Sequence, residues 1–179
     1  MIAESNDQAF SKAWIVWAFV AAIAVGLVVV ILAAPLARAG GYVALSSAIY
    51  QTFSYVCHQI PERSFHFAGH KFGVCSRCTG LYSGLAFATL VYPLTRPLKR
   101  TETPRIFWLF LAAALLAIDF LLGYFSIWPN TDLSRFVTGA LLGAVAVFYI
   151  VPGLIELSSR AARLIKRKAQ SRPPLRSGL

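Results

Sequence analysis

Long apolar runs alternate with short polar segments along the chain. The first run, residues 13–37, contains no charged residue. An α-helix needs about 20 apolar residues to cross the hydrocarbon core of a bilayer, so this run is long enough to span it. Three shorter runs follow. The pattern predicts an all-α integral membrane protein with four membrane-spanning helices, at about residues 14–36, 78–94, 106–128 and 136–155.

The longest polar segment, residues 37–77, separates the first and second predicted spans. Apolar and polar residues alternate around Gly69, which predicts a short β-hairpin. Four spans leave little room for a separate soluble domain. We therefore expect one polytopic membrane domain over residues 1–171 and a basic, disordered tail at 172–179. An uncleaved first helix is preferred to a signal peptide because the apolar run is long for a signal sequence.

Charge supports a membrane location and predicts an orientation. Hydrophobic residues make up 58% of the chain and charged residues 13%, whereas about a quarter of the residues of soluble domains are charged. The net charge is +10, and basic residues concentrate in the connection 96–105 and in the tail, 160–176. Because such segments favour the cytoplasm, we expect a multi-pass protein of the inner or plasma membrane with both termini cytoplasmic and loop 37–77 extracytoplasmic.

The expected partners follow from the same pattern. A polybasic segment beside a span commonly contacts anionic lipid, so we expect lipid and no nucleic acid at the tail. Small residues four positions apart let helix backbones approach closely, and two such pairs occur, Gly80/Gly84 and Gly139/Gly143. We expect the second and fourth spans to touch at these glycines. An internal duplication of helix pairs and a homo-oligomer are both left open.

All three cysteines and all three histidines lie within residues 57–78. Cys75 and Cys78 form a C-x-x-C at the start of the second span, where free N–H groups and the helix dipole favour the thiolate. Together with Cys57 and His58 they would make a Cys3His set, which suits zinc or another transition metal. Either of the other two histidines could replace His58 as the fourth ligand.

A C-x-x-C is also what a thiol–disulfide site uses. In that interpretation Cys75 and Cys78 are catalytic and the protein is a quinone-coupled thiol oxidoreductase. The chain has only three cysteines, and an electron relay of that type usually needs a second pair, so the metal site is favoured. A structural disulfide with a buried third cysteine is the remaining alternative.

Asp119 is the only charged residue in the third predicted span. An ionisable group inside a membrane is costly unless it is paired, and it commonly marks a functional site. Arg77 and Arg135, at the outer starts of the second and fourth spans, are its natural partners. Asp119 is therefore a candidate catalytic residue, with a structural ion pair as the alternative.

Five side chains are candidates for binding a substrate. Arg63, Ser64, Arg77 and Arg135 could hold an anionic or lipid-linked group through charge-assisted hydrogen bonds. Tyr82 lies one helical turn beyond the C-x-x-C and would line the same site. We expect cysteines, arginines and Asp119 to converge on one pocket at the outer leaflet.

Two segments, "CHQIPERSF" and "GVCSRCTGLYSG", carry a resemblance. The chain resembles a family of small polytopic membrane proteins of bacteria and archaea, catalogued as a domain of unknown function, with the signature Cys-His-Gln-x-Pro-x-Arg-Ser-Phe followed by Cys-x-Arg-Cys-x-Gly-x-Tyr. Every signature position is matched. The resemblance implies a functional site without naming a substrate. His66 and His70 fall between the two blocks, which weakens them as ligand candidates.

Three functions are consistent with these observations. A metal-binding membrane protein is favoured, and whether it catalyses a reaction is left open. A membrane thiol–disulfide oxidoreductase is second. A non-catalytic assembly factor or transporter component is third, and four short spans would need to oligomerise to form a pore.

Overall fold

A computed structural model describes residues 2–98 and 100–170, with side chains over 11–98 and 100–164. Five helices account for most of this part of the chain: α1 Ile2–Ala39, α2 Val43–Ser54, α3 Ser76–Thr95, α4 Phe107–Tyr124 and α5 Asp132–Gln170. Between α2 and α3 lie a short 3-10 turn, Pro61–Arg63, and two strands, β1 His66–Phe67 and β2 His70–Lys71. The expected all-α membrane architecture is confirmed.

The predicted hairpin around Gly69 is also confirmed. The two strands pair antiparallel, with His66 opposite Lys71 and Phe67 opposite His70. The two residues between them have positive φ, 50° at Ala68 and 78° at Gly69. A turn whose two central residues have positive φ matches the right-handed twist of the flanking strands, so two residues are enough to connect them.

Among the described residues, three helices are long and apolar enough to cross a membrane, over Ser11–Ala39, Phe107–Tyr124 and Asp132–Leu164. Residues 78–94, the second predicted span, are helical in α3 but are more polar than these three segments, so a membrane crossing there stays a prediction. The buried residues of α3 are mainly small or hydroxyl-bearing, such as Thr79, Gly84 and Thr89. They contact other helices instead of lipid, so their polarity carries little penalty.

Two predicted helix boundaries also differ. Residues 125–128 were expected in the third span, but α4 ends at Tyr124, where the chain reverses through Ser126 with a φ of 56°. Helix α5, which contains the fourth predicted span, starts at Asp132, earlier than expected, because the hydroxyl of Thr131 accepts a hydrogen bond from the N–H of Ser134 (3.1 Å). It then continues to Gln170. The expected disordered tail, 172–179, lies outside the described residues.

The loop predicted over residues 37–77 contains a helix that the hydropathy pattern did not indicate. Helix α2 packs against the end of α1, where the Ser46 hydroxyl donates to the carbonyl of Ala34 (2.9 Å). Phe53 is buried in a cluster with Ile31 of α1. This cluster, with Val74, forms the core beneath the loop. The segment is helical because it docks on α1, and such tertiary packing leaves only a weak trace in local sequence.

Helices α3 and α5 run parallel and make the most extensive contact in the fold. A Cβ added to Gly80 would collide with the carbonyl of Phe136, and one added to Gly84 would collide with that of Ala140. On the facing helix, Gly139 and Gly143 meet the backbone of Arg77 and Leu81 in the same way. The expected contact between the two glycine pairs is therefore confirmed.

The remaining helices pack around this pair. Helix α1 runs antiparallel to α3, and the indole N–H of Trp17 donates to the carbonyl of Thr89 (2.7 Å). Tyr92, Val147 and Val151 form a core near the end of α3. Helix α4 packs against α5, and Tyr149 donates a hydrogen bond to the carbonyl of Arg105 (2.8 Å).

Substitution Gly84→Ala tests the glycine contact. We expect the free energy of unfolding to fall by about 1–3 kcal/mol, because the added methyl group forces α3 away from the carbonyl of Ala140. Thermal unfolding of the detergent-solubilised protein measures the change. Gly26→Ala in α1 is the matched control, since nothing lies within 4 Å of a Cβ at that position. Equal melting temperatures for the two variants would contradict the role of the contact.

Candidate functional site

Three cysteine side chains meet beneath the loop. Cys57 follows α2, Cys75 caps the start of α3, and Cys78 lies in the first turn of α3. Their sulfur atoms all lie within 4.8 Å of one another, and all three thiols are free. Cys57 is buried, while the other two are half-buried. We call these three residues the cysteine cluster.

Hydrogen bonds converge on the sulfur of Cys57. The backbone N–H groups of Gln59 and Cys75 donate to this atom at 3.4 and 3.3 Å. Hydrogen bonds from the side chains of Cys75 and Cys78 lower the pKa of Cys57, and the two backbone donors act in the same direction, against the effect of burial. These hydrogen bonds favour the thiolate of Cys57 alone, because a thiol that donates to it keeps its own proton. The thiolate is the form of cysteine that binds metals.

Gln59 holds the loop in the shape that delivers Cys57. Its backbone has a φ of 49°, which reverses the chain just after the cysteine. Its buried side-chain amide donates to the carbonyls of Tyr50 (2.7 Å) and Gly73 (2.9 Å). Its own carbonyl accepts a hydrogen bond from the ammonium group of Lys71 (2.6 Å). Sequence reasoning included Gln59 in a signature but assigned it no role.

The loop is also anchored to α1. The N–H of Gly73 donates to the carbonyl of Ile31 (3.2 Å). A Cβ at Gly73 would lie 3.3 Å from the backbone of Ile31, so the approach is tight. Because Gly73 precedes Cys75 by two residues, this contact fixes where the C-x-x-C begins.

The structure does not bring the predicted fourth ligand into the cysteine cluster. His58 is exposed beside Cys57, and among the described residues the group comprises the three cysteines alone. A ligand role for His58 stays a prediction. Tyr82 lies beside the cysteines as expected, and its ring contacts that of Phe53 with centroids 6.3 Å apart.

The predicted ion pair of Asp119 is present. The guanidinium of Arg77 lies 2.5 Å from the carboxylate of Asp119, with side chains 20% and 11% exposed. The same guanidinium lies over the ring of Phe120, 5.4 Å from its centroid. Arg135 does not reach Asp119 directly. It donates to the amide oxygen of Asn130 (2.9 Å), whose nitrogen donates to the carbonyl of Asp119 (2.8 Å).

Asn130 thus connects the two arginines, and sequence reasoning missed it. The available signal was a polar side chain in the short connection between the third and fourth spans, on the same side as Asp119. A second link joins the starts of α3 and α5. The hydroxyl of Ser76 donates to the carboxylate of Asp132 (2.8 Å), which also pairs with Arg135 (3.2 Å).

Three arginines expected to bind substrate line one small cavity. Arg63, Arg77 and Arg135 surround a volume of about 20 Å³, together with Tyr124 and Asn130. We call this the arginine cavity. It has room for about one water molecule. The Nε of Arg77 is buried and makes no hydrogen bond with the described residues, so this group retains an unused donor.

Neither of the other two predicted binding residues, Ser64 and Tyr82, lines this cavity. Ser64 is buried and donates its hydroxyl to the carbonyl of Ile60 (2.8 Å), which closes the 3-10 turn. The expected single pocket is in fact two neighbouring sites. The first turn of α3 directs Cys75 and Cys78 toward α1 and α2, and directs Arg77 toward α4.

Substitution Asp119→Asn tests the ion pair. Removing one partner of a fully buried pair costs about 3–5 kcal/mol, and we expect about 2 kcal/mol here because both side chains are partly exposed. Thermal unfolding provides the measurement. Glu156→Gln is the control, since its pair with Arg160 is solvent-exposed. A loss no larger than that of the control would show that the pair contributes little.

Comparison with known proteins identifies relatives but no activity. A family model described as "Predicted membrane protein (DUF2085)" matches residues 57–149, which include the cysteine cluster and Asp119. An uncharacterised protein of Methanocaldococcus jannaschii is 34% identical over 113 residues, 63% of this chain and 72% of the relative. One of Methanothermobacter thermautotrophicus is 41% identical over 93 residues, 51% and 80% of the two chains. No solved structure matches.

Proposed function

This chain belongs to the DUF2085 family of membrane proteins, and the name of that family states no activity. We therefore propose a function from the geometry of the site. The protein binds one transition-metal ion through Cys57, Cys75 and Cys78. The observation that carries the proposal is the mutual approach of the three sulfurs to within 4.8 Å. Zinc bonds sulfur at about 2.3 Å, so ligands at the corners of a tetrahedron are about 3.8 Å apart. Small side-chain movements would therefore suffice.

The chemistry of the donors supports a soft metal. Thiolates favour zinc, copper(I) or iron over magnesium or calcium, and sets of three or four cysteine and histidine ligands are typical of structural zinc sites. The N–H groups that point at Cys57 offset negative charge on its sulfur. Three thiolates around one ion repel one another, and such donors reduce that repulsion.

A fourth ligand completes the proposed site. Zinc is usually four-coordinate, and three protein ligands leave one position for His58, a water molecule or a substrate. For His58 to serve as the fourth ligand, its exposed side chain would have to turn toward the three sulfur atoms. The site is structural if His58 closes it. If the position stays open, the metal supplies Lewis-acid chemistry.

The arginine cavity supplies the second part of the proposal. We propose that Arg63, Arg77 and Arg135 hold the anionic group of a substrate, which is lipid-linked if it enters from the bilayer. The arginine cavity has room for about one water molecule, so the three side chains would have to move apart to admit that group. Arg77 belongs to the same helical turn as Cys75 and Cys78, so an anion held there would lie beside the cysteine cluster. Asp119 keeps Arg77 in place and acts as a positioning residue.

The cysteine cluster lies at the start of α3, and the basic connection 96–105 follows its end. These features therefore occupy opposite ends of the helix. Because basic connections favour the cytoplasm, we propose that α3 also crosses the membrane, with the site on the extracytoplasmic side and both termini inside.

Substitution Cys75→Ser tests the metal site. We expect the wild-type protein to hold about one zinc, iron or copper ion per chain, and the variant to lose metal and thermal stability together. Elemental analysis of the detergent-purified protein gives the metal content, and a thiol count on the same sample gives the cysteine state. His66→Gln is the control, because this exposed hairpin residue lies outside the cysteine cluster.

The thiol count separates the second candidate function. Sulfurs within 4.8 Å are also close enough to form a disulfide after small movements. A metal-free wild-type protein with a single free thiol would overturn the metal site. Alkylation trapping that finds Cys75 and Cys78 in both thiol and disulfide states in cells would then favour the oxidoreductase.

Reporter fusions test the orientation. Alkaline phosphatase fused after Gly69 should be active, because the reporter folds only outside the cytoplasm. The same enzyme fused after Arg100 should be inactive, since the preceding basic connection favours the cytoplasm. Fluorescent-protein fusions at the two positions should give the opposite pattern. A reversed result would place the cysteine cluster inside the cell.

A further inference from the structure

A larger cavity lies on the other side of Gln59 from the cysteine cluster. Its volume is about 620 Å³ and it opens to solvent between the end of α1, helix α2 and the hairpin. Arg38, Tyr50, His70 and Lys71 are among its lining residues, as is Gln59 itself. We call it the hairpin cavity. Its size is within the 300–1,000 Å³ typical of small-molecule sites.

The charged side chains that line the hairpin cavity are all basic. Arg38 and Lys71 contribute two positive charges, and His66 and His70 add two imidazoles. No carboxylate occurs among its described lining residues. Such a concentration of positive charge in a concave surface attracts anions.

Several donors in this cavity have no partner among the described residues. The side chain of Arg38 forms no hydrogen bond or ion pair with them. The imidazoles of His66 and His70 likewise make no hydrogen bond with described residues. Arg38 is exposed and His70 half-buried, so both can reach a ligand.

The walls are fixed by internal hydrogen bonds. The hydroxyl of Tyr50 donates to the carbonyl of Lys71, and the ammonium of Lys71 donates to the carbonyl of Gln59 (2.6 Å). The same ammonium lies over the ring of Tyr50, 5.6 Å from its centroid. An ammonium has three N–H groups, so Lys71 keeps two for a ligand. A pre-formed wall lowers the entropy cost of binding.

We propose that the hairpin cavity binds a phosphate group. A guanidinium binds two oxygens of a phosphate at once, and an ammonium adds a point charge. Two cations match a doubly charged phosphate monoester better than a singly charged carboxylate. Arg38 lies in the last turn of α1, at the end of the Ser11–Ala39 span. The phosphate therefore comes from a soluble phosphate ester or from a lipid headgroup at the membrane surface.

This site is independent of the proposed metal centre. None of the three cysteines lines the hairpin cavity, and neither Arg38 nor His70 contacts them. Within the described residues, Gln59 links the two sites, because it lines the cavity and donates its N–H to the sulfur of Cys57. Loss of one site therefore leaves the other testable.

Two probes distinguish the sources of phosphate. The full chain in detergent is titrated calorimetrically with inorganic phosphate and with glycerol 1-phosphate, in phosphate-free buffer. The full chain in phosphatidylcholine nanodiscs, with and without phosphatidic acid, is then examined by native mass spectrometry for retained lipid. Arg38→Gln and His70→Gln are the test variants. Arg100→Gln removes an equal charge from the exposed connection after α3, at the other end of the molecule.

We expect saturable binding that weakens by about fivefold or more in both test variants, a change of about 1 kcal/mol. Arg100→Gln should bind like the wild type. Binding of the soluble probes identifies a phosphate ester as the source, and selective retention of phosphatidic acid identifies a headgroup. The proposal would be overturned if neither the soluble phosphates nor phosphatidic acid bound saturably, or if Arg100→Gln weakened binding as much as the two test variants. Lys71 is left intact because it supports Gln59.

Thermal unfolding and metal content are measured on the same variants. Unchanged melting temperatures show that weaker binding does not reflect misfolding. Both test variants should keep the metal content of the wild type. If the wild type binds phosphate but holds no metal, the metal proposal fails and this one stands.

Discussion

The backbone contact between α3 and α5 is the constraint on which the rest of the structure depends. Two helices can approach this closely only where glycine removes the side chain, and each helix supplies two glycines at the crossing. The crossing lies next to the first turns of both helices. It therefore sets the distance between Arg77 on α3 and Arg135 on α5, and it brings Ser76 within hydrogen-bond reach of Asp132.

The first turn of α3 contributes side chains to two different sites, the cysteine cluster and the arginine cavity. Residues 75 and 78 are three apart and share one face of the helix, while residue 77 points to another. The cysteines thus complete the cluster beneath the loop, and Arg77 completes the network with α4. A site for a metal and a site for an anion can be adjacent in this way without sharing a ligand. The polarity of α3 is a consequence, because a helix that carries these groups cannot also be uniformly apolar.

Hydropathy and spacing predicted the helical architecture, the hairpin, the glycine contact, and the pairing of Arg77 with Asp119. These features depend on local patterns or on the high cost of an unpaired charge in a membrane. Helix α2, Asn130 and Gln59 were missed because their roles arise from tertiary contacts. The expected convergence on one pocket failed for a similar reason: sequence spacing places residues on a helix but does not say which neighbour each face meets. The fourth ligand of the cysteine cluster stays a prediction.

Two hydrogen bonds described above, from Gly73 to Ile31 and from Trp17 to Thr89, have a common origin. Helix α1 contains Pro35 and helix α3 contains Pro93, each four residues after one of these carbonyls. Proline has no N–H, so each carbonyl lacks the partner that an unbroken helix would provide. In a membrane such a group must be satisfied by a neighbour. The prolines thus create acceptors at defined depths, and one of those acceptors anchors the segment that leads into the C-x-x-C.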